Sequence, residues 1–352
     1  MTNTAEHTRT ENRKAEQVTA EEAMTGNVET EGREIDGAET GNVETEGREI
    51  DGAETGSVPR SGARGARGAT VVVTGASGRT GSRVARAARA AGLSVRAASR
   101  ATGFDWWDDS TWEPTLRGAG AAYLAVPSDV GAPGAAEAVG ALARRAVGLG
   151  VRRLVLLSAR GEDQALPAEE ALHASGARST VVRSAWFAQN FSEGPLVEEL
   201  RERGELVFPA GEVREPFVDV RDVADVVVAV LTSGDRYAGR TLALTGPRLL
   251  TFGEAVAEIA RATGRTLAYR PVPTRDYGRA LAGFGVPQQE VEALTAVFDT
   301  LLDGRNAHLC DGVRAVLGRE PRDFAHFARE EAATGTWRAR ATGTEGHAAP
   351  LR

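Results

Sequence analysis

Seven residues, Gly75-Ala76-Ser77-Gly78-Arg79-Thr80-Gly81, have the composition of a turn that holds an anion against the backbone. Glycine lacks a Cβ, so such a turn can approach a pyrophosphate closely and accept positive φ. A helix starting at Arg79 would aim its unpaired N–H groups and the positive end of its dipole at that anion. About 20 residues further on, Ser99 and Arg100 follow an apolar stretch, where a dinucleotide-binding unit reads the adenosine ribose. An acidic residue there would accept a bond from a 2′-hydroxyl. Arg100, with Arg79 in the turn, suits a 2′-phosphate instead. The spacing predicts NADP(H), held by Gly75, Ser77, Gly78, Arg79, Thr80, Gly81, Ser99 and Arg100. The plainer alternative is a structural glycine loop and two solvated arginines in an arginine-rich chain.

These residues need elements to position them. Residues 70–74, TVVVT, read as a strand emptying into the turn, and a helix rich in Ala and Arg follows. Further strands are predicted at 93–98, at a short segment ending at Phe104-Asp105, at 121–126 closing on Pro127, at 151–157 ending at Ser158, and at 179–183. Helices are predicted at 135–149 and 168–175. This alternation argues for an α/β fold with a doubly wound parallel sheet of the Rossmann type, and a smaller C-terminal α/β lobe for substrate. Ligands in such sheets lie beyond the carboxyl ends of the strands, which adds Asp105, Pro127, Ser128 and Ser158 to the cofactor-binding candidates. Trp106, Trp107 and Trp112 cluster after the predicted third strand; core packing is the leading reading, stacking near the adenine the other.

The second half breaks the rhythm. Residues 185–191 form an aromatic loop or short helix where a substrate lid could sit, and 216–220 read as a short strand. Asp222 is expected to cap a helix through Leu231, with Asp225 in its first turn. Helices at 252–263, 288–302 and 321–330 surround a strand at 267–272. The expected organisation is a disordered acidic tail over 1–68, a dinucleotide-binding core over 69–184, remaining sheet elements and the lobe over 185–330, and a second disordered tail over 331–352.

The net charge of −7 is unevenly spread over the 352 residues. Residues 1–58 hold fifteen Asp or Glu against five Arg or Lys, a net of −10, which leaves +3 for the remainder. Within that tail residues 25–39 recur letter for letter as 40–54. Its scarcity of large apolar side chains predicts disorder, because too little surface is buried to offset the ordering entropy. The N-terminus lacks a signal-peptide pattern, and no apolar run approaches a membrane span. The single cysteine, Cys310, permits no internal disulfide and fits a reducing, cytoplasmic setting. His173, His308, His326 and Cys310 lack ligand spacing, so no metal is expected. A weakly charged remainder without a basic stripe offers nucleic acid no footprint.

Many reductases on such folds use a tyrosine whose phenol is acidified by a lysine four residues later. The only lysine is Lys14, and none of Tyr123, Tyr237, Tyr269 and Tyr277 has one at that spacing. Three readings follow: a non-catalytic protein that senses the dinucleotide and regulates a partner, a reductase of an iminium that needs no proton donor, or a quinone or aldehyde reductase with water as the acid. His173 is a candidate proton relay, with a surface position on its helix as the alternative. Ser158 is either a ligand for substrate or ribose, or a satisfied strand-end hydroxyl.

The glycine turn, Ala98-Ser99-Arg100, Phe104-Asp105-Trp106 with Thr111-Trp112, the 151–158 strand, Trp186-Phe187 with Asn190-Phe191, and Pro216-Phe217-Val218 resemble the NmrA-like atypical short-chain dehydrogenases. Within them the chain is most similar to the ergot-alkaloid subgroup, the festuclavine and agroclavine dehydrogenases. The resemblance covers residues 69–330. It implies an NADP(H)-dependent reductase acting on an iminium or other conjugated small molecule, with Trp186, Phe187 and Asn190 at the substrate end of the cofactor. Arg183-Ser184 departs from the Arg-Pro frequent in that family.

Overall fold

A computed structural model of the protein describes residues 70–127 and 129–339. The acidic repeat, Ser128 and the far C-terminus, for all of which expectations were given above, lie outside the described residues.

The strand Thr70–Thr74 (β1) alternates its side chains between two covered faces, Val71 and Val73 on one and Val72 on the other, which is why it is apolar throughout. Arg79–Ala90 (α1) carries the chain back to Ser94–Ala98 (β2). After the short helix Trp112–Leu116 (α2) come Ala121–Leu124 (β3), Ala135–Gly148 (α3), Arg153–Ala159 (β4), Leu166–His173 (α4) and Arg178–Ser184 (β5). The sheet order is β2-β1-β3-β4-β5-β8, all parallel, with the sixth strand Arg240–Leu244 (β8) supplied from beyond the predicted core. The order reverses direction at β1, so the crevice between the ends of β1 and β3 is the switch point where ligands bind.

Between β5 and β8 the chain forms the single-turn helix Pro195–Glu198 (α5), Glu205–Phe208 (β6), Arg214–Glu215 (β7) and Val220–Thr232 (α6). Beyond β8 follow Leu250–Thr251 (β9), Phe252–Thr263 (α7), Ala268–Pro271 (β10), Thr274–Gly283 (α8), Gln288–Leu301 (α9), Gly312–Leu317 (α10) and Phe324–Thr334 (α11). One face of the main sheet is covered by α1 and α6 through Val84, Ala88, Val223 and Val227; the other by α3 and α4 through Val139, Leu142 and Leu172. Each of these Val and Leu side chains contributes about 1.5–3 kcal/mol on full burial. The lobe has its own aromatic core, in which Phe252 stacks on Phe208 at 4.9 Å and meets Phe217 edge-on at 5.1 Å.

Several expectations are corrected. The segment ending at Phe104-Asp105 is no strand: Ser99 and Thr102 close a capping box around a 3-10 turn, and Gly103 takes a positive φ of 83°. Residues 216–220 contribute only an isolated bridge, Val218 to Phe187. Asp219 is the cap of α6, accepting from the Arg221 N–H at 2.8 Å, while Asp222 lies fully buried and pairs with Arg319 and Arg322. Burial pushes the Asp219 carboxyl up, but the Arg221 hydrogen bonds outweigh it and hold it below the ordinary range. Residues 331–337, expected in a loose end, are ordered parts of the lobe: α11 runs through Thr334, and buried Trp337 donates its indole N–H to the Phe191 carbonyl at 2.7 Å. Among the described residues no helix is long and apolar enough to cross a membrane.

Glu215, at the end of β7, is fully buried with neither carboxyl oxygen hydrogen-bonded. Burial pushes it up to about 8 against the pull of Arg160, so it is protonated at neutral pH. The folded protein then holds a proton that the unfolded chain releases above about pH 4.5. Stability is therefore lost as pH rises from that value to about 8, by roughly 4 kcal/mol for this group. Glu215→Gln is expected to remove that loss, raising the melting temperature at pH 8 while leaving it nearly unchanged at pH 5. Equal shifts at both pH values in thermal scans would contradict the assignment.

Candidate functional site

The glycine turn leaves β1 at Gly75, whose φ of 60° suits glycine. Gly78 is the N-cap of α1, with no side-chain cap and no acidic residue in the first turn. A Cβ added at Gly81 would fall on the Gly75 carbonyl, so helix and strand end lie as close as a glycine contact allows. Ser77 is exposed at the tip, and Thr80 and Gly81 are buried. The Ala76 N–H reaches the Ala98 carbonyl at 3.3 Å, which brings half-buried Ser99 and exposed Arg100 beside the turn. On the other side the Ala125 N–H bonds the Thr74 hydroxyl at 2.8 Å and fixes the loop after β3. These features fit a pyrophosphate: an uncapped helix start, closely approachable backbone, and no acidic residue in the first helical turn.

Arg79 is directed differently from the expectation. Its guanidinium donates to Asn190 Oδ1 at 2.5 Å and to the Glu193 carbonyl, so it ties the glycine turn to the lobe segment that carries the substrate candidates. Asp105 organises its own loop, accepting from the Trp107 N–H at 2.8 Å and, through its carbonyl, from the Trp112 indole at 2.9 Å. Trp106 and Trp112 are buried, in line with packing, while Trp107 is 58% exposed.

Beyond the carboxyl ends of β3, β4 and β5 lies a pocket of roughly 750 Å³, part of it open to solvent. Ser158, Trp186, Phe187 and Asn190 line it together, whereas Pro127 sits in the loop between the lining residues Val126 and Asp129. Trp186 is held edge-on against Phe208 at 5.9 Å and Phe252 at 5.6 Å, and Phe187 is pinned by its bridge to Val218. The predicted lid is thus a fixed wall. Ser158 donates to Glu169 Oε1 at 2.5 Å, and Arg183 grips the same carboxylate at 2.6–3.0 Å. With its one proton committed, the Ser158 oxygen offers the pocket only lone pairs, so it accepts from a ligand hydroxyl or amide. His173 meets Ser179 Oγ at 2.8 Å and is absent from the lining; burial holds it below its ordinary value.

The three charged lining residues escaped the sequence reading: Asp129, Arg160 and Glu162. Arg160 is buried and donates to the carbonyls of Asn306 at 2.8 Å and His308 at 3.1 Å. Glu162 is buried within hydrogen-bond reach of Asp129, and burial, reinforced by that like charge, pushes it up to about 8. The strand-end rule that selected Ser158 reaches Arg160 and Glu162 if extended three residues past β4, and Asp129 if extended five past β3.

A model of the NmrA-like family matches residues 163–324. The (4-alkanoyl-5-oxo-2,5-dihydrofuran-3-yl)methyl phosphate reductase of Streptomyces griseus is 31% identical over 253 residues, covering 67% of this chain and 86% of the relative. The chain belongs to the NmrA-like family. Agroclavine dehydrogenase of Claviceps fusiformis is 32% identical over 190 residues, 51% of this chain and 65% of that one. Among solved structures, the NADP(H) complex of Citrobacter sp. triphenylmethane reductase superposes with a TM-score of 0.60 at 18% identity, covering 75% of this chain and 99% of that one. That likeness is one of fold, the Rossmann-type sheet described above.

Proposed function

We propose that the protein is an NADP(H)-dependent reductase of a conjugated small-molecule electrophile, an iminium among the candidates. The observation that carries this reading is the placement of an uncapped glycine turn and a polar-aromatic pocket on one carboxyl edge, joined by the Arg79–Asn190 hydrogen bond. From β2 to β4 is three inter-strand steps, about 14 Å, a span suited to an extended dinucleotide. Family relatives that are reductases or dehydrogenases by name support the same reading.

In this reading Gly75, Ser77, Gly78, Thr80 and Gly81 receive the pyrophosphate. Arg100, with Ser99, takes the 2′-phosphate. Arg79 secures the lobe, and Asp105 and Pro127 shape the loops at either side. When bound, the reduced dinucleotide supplies a hydride. The chain's own part is orientation: Ser158 accepts a hydrogen bond, Trp186 and Phe187 present an apolar wall, and Asn190 fixes the polar edge between them. Four tyrosines without a following lysine leave the phenol route unsupported; burial pushes Tyr123 and Tyr277 further above their ordinary values.

The test is NADPH oxidation against a panel of iminium ions, quinones and enals. Turnover of at least one class is expected. Tight NADPH binding with no turnover across the panel, and a co-purifying protein, would favour a non-catalytic sensor. Arg100→Asp is expected to weaken NADPH binding about 10- to 100-fold through loss of a charge-assisted contact, with NADH binding nearly unchanged in parallel titrations. Equal losses for both would refute the role given to Arg100.

A further inference from the structure

We infer that Glu162, paired with Asp129 in the pocket wall, is the proton donor for a neutral conjugated acceptor such as a quinone or enone, an assignment that rests on the reductase reading above. The two residues come from different strand ends, Asp129 from the loop after β3 and Glu162 from the loop after β4, and both line the pocket. Ionised carboxylates only accept hydrogen bonds, so a hydrogen bond between these two side chains requires a proton on one of them.

The local geometry decides which one holds it. Asp129 Oδ1 already accepts the Gly131 N–H at 2.6 Å and is only half-buried. Glu162 is 6% exposed and lies over the same glycine, where an added Cβ would stand 2.5 Å from its Oε1. The proton therefore belongs to Glu162, and burial beside the Asp129 charge keeps it there up to about pH 8. Other charged groups nearby are engaged. Arg160 is committed to the carbonyls of residues 306 and 308, Glu169 to Arg183 and Ser158, and Arg305 to Asp303 and Asp163.

A carboxylic acid at this place changes which substrates the pocket can serve. Addition of a hydride to the β-carbon of an enone, or to a quinone, moves a π pair onto oxygen. That oxygen takes the Glu162 proton, and the resulting carboxylate is reprotonated from water at the open side of the pocket. The balance is one acceptor, one NADPH and one proton in, one reduced acceptor and one NADP⁺ out. An iminium, already cationic, has no use for this proton.

The test uses the full chain, with menadione as the neutral acceptor and infrared spectroscopy as a readout independent of turnover. The wild-type minus Glu162→Gln spectrum at pH 7 should contain a protonated-carboxyl band that titrates away near pH 8. Menadione turnover by wild type should fall about tenfold per pH unit above that value. Glu162→Gln should lower kcat by about 10²-fold or more, flatten the pH profile and leave the NADPH Kd within about twofold. Asp129→Asn should move the fall in turnover to lower pH, because the charge that retains the proton is gone. A missing band, a Glu162→Gln variant with wild-type kcat and pH profile, or NADPH binding without any menadione turnover each overturns the proton-donor assignment. Failure to bind NADPH at all strikes the reductase reading instead, and the infrared band still reports on the shared proton.

Discussion

Gly81→Ala is expected to abolish dinucleotide binding and to lower the unfolding free energy by about 2–3 kcal/mol. The added methyl would fall on the Gly75 carbonyl, with the Thr74 carbonyl 2.9 Å away. Both obstacles are backbone, so no side-chain rotation relieves the contact. The start of α1 must swing away from the end of β1, and those are the two edges between which an anion would be held. Helix propensity works in the opposite direction, since alanine is favoured over glycine by up to about 1 kcal/mol within a helix. Gly148→Ala gives that gain alone: Gly148 ends α3, is exposed, and a Cβ there meets nothing within 4 Å. Urea unfolding and NADPH titration of the two variants separate steric collision from propensity. A Gly81→Ala protein that binds NADPH within about threefold of wild type would contradict the assigned packing.

Asp222→Ala should be the most damaging change outside the site, at about 3 kcal/mol or more. Asp222 is completely buried near the start of α6, and its Oδ1 receives the Arg319 guanidinium at 2.7 Å and that of Arg322. Its Oδ2 receives the Arg322 backbone N–H at 2.6 Å. One carboxylate thus ties the helix under the main sheet to the segment leading into α11. Its removal leaves the Arg322 backbone N–H without its acceptor and takes from both guanidinium groups their buried partner, with half-exposed Asp225 and partial solvent access as compensation, Arg319 being 39% exposed and Arg322 28%. The neighbouring Asp225 bonds the same arginines but is itself 36% exposed, so Asp225→Ala should cost about 1 kcal/mol or less. Similar unfolding free energies for the two variants would refute this division of labour.

β1, β4 and β5 were legible because their chemistry is local: apolar runs that end at a glycine or a hydroxyl. The turn at Gly75–Gly81 was legible for the same reason. What escaped the sequence depended on partners distant in the chain. Asp222 has the spacing of a helix cap, and only the folded contact with Arg319 and Arg322, some hundred positions later, reveals another role. Arg79 has the composition of a phosphate ligand, yet its guanidinium is bonded to Asn190, separated by 111 positions, and to the Glu193 carbonyl. The strand expected at Phe104 failed because Ser99 and Thr102 satisfy each other's backbone groups in a tight turn, an alternative that small hydroxyl residues offer to sheet pairing. β8 was missed because only Leu244 of its five residues is buried, the others being exposed or half-buried, and its pattern is correspondingly weak. Glu162 and Asp129 each read as ordinary polar loop residues, and they become a pair only when β3 and β4 lie side by side.

The central claim is that the backbone of Gly75–Gly81, with Arg100 beside it, holds a phosphorylated nicotinamide dinucleotide. Isothermal titration of the wild-type chain with NADPH and, separately, NADH tests it most directly. The account predicts one site per chain for NADPH and binding of NADH weaker by at least about tenfold. Absence of heat with both nucleotides, with the chain folded by circular dichroism, would contradict it.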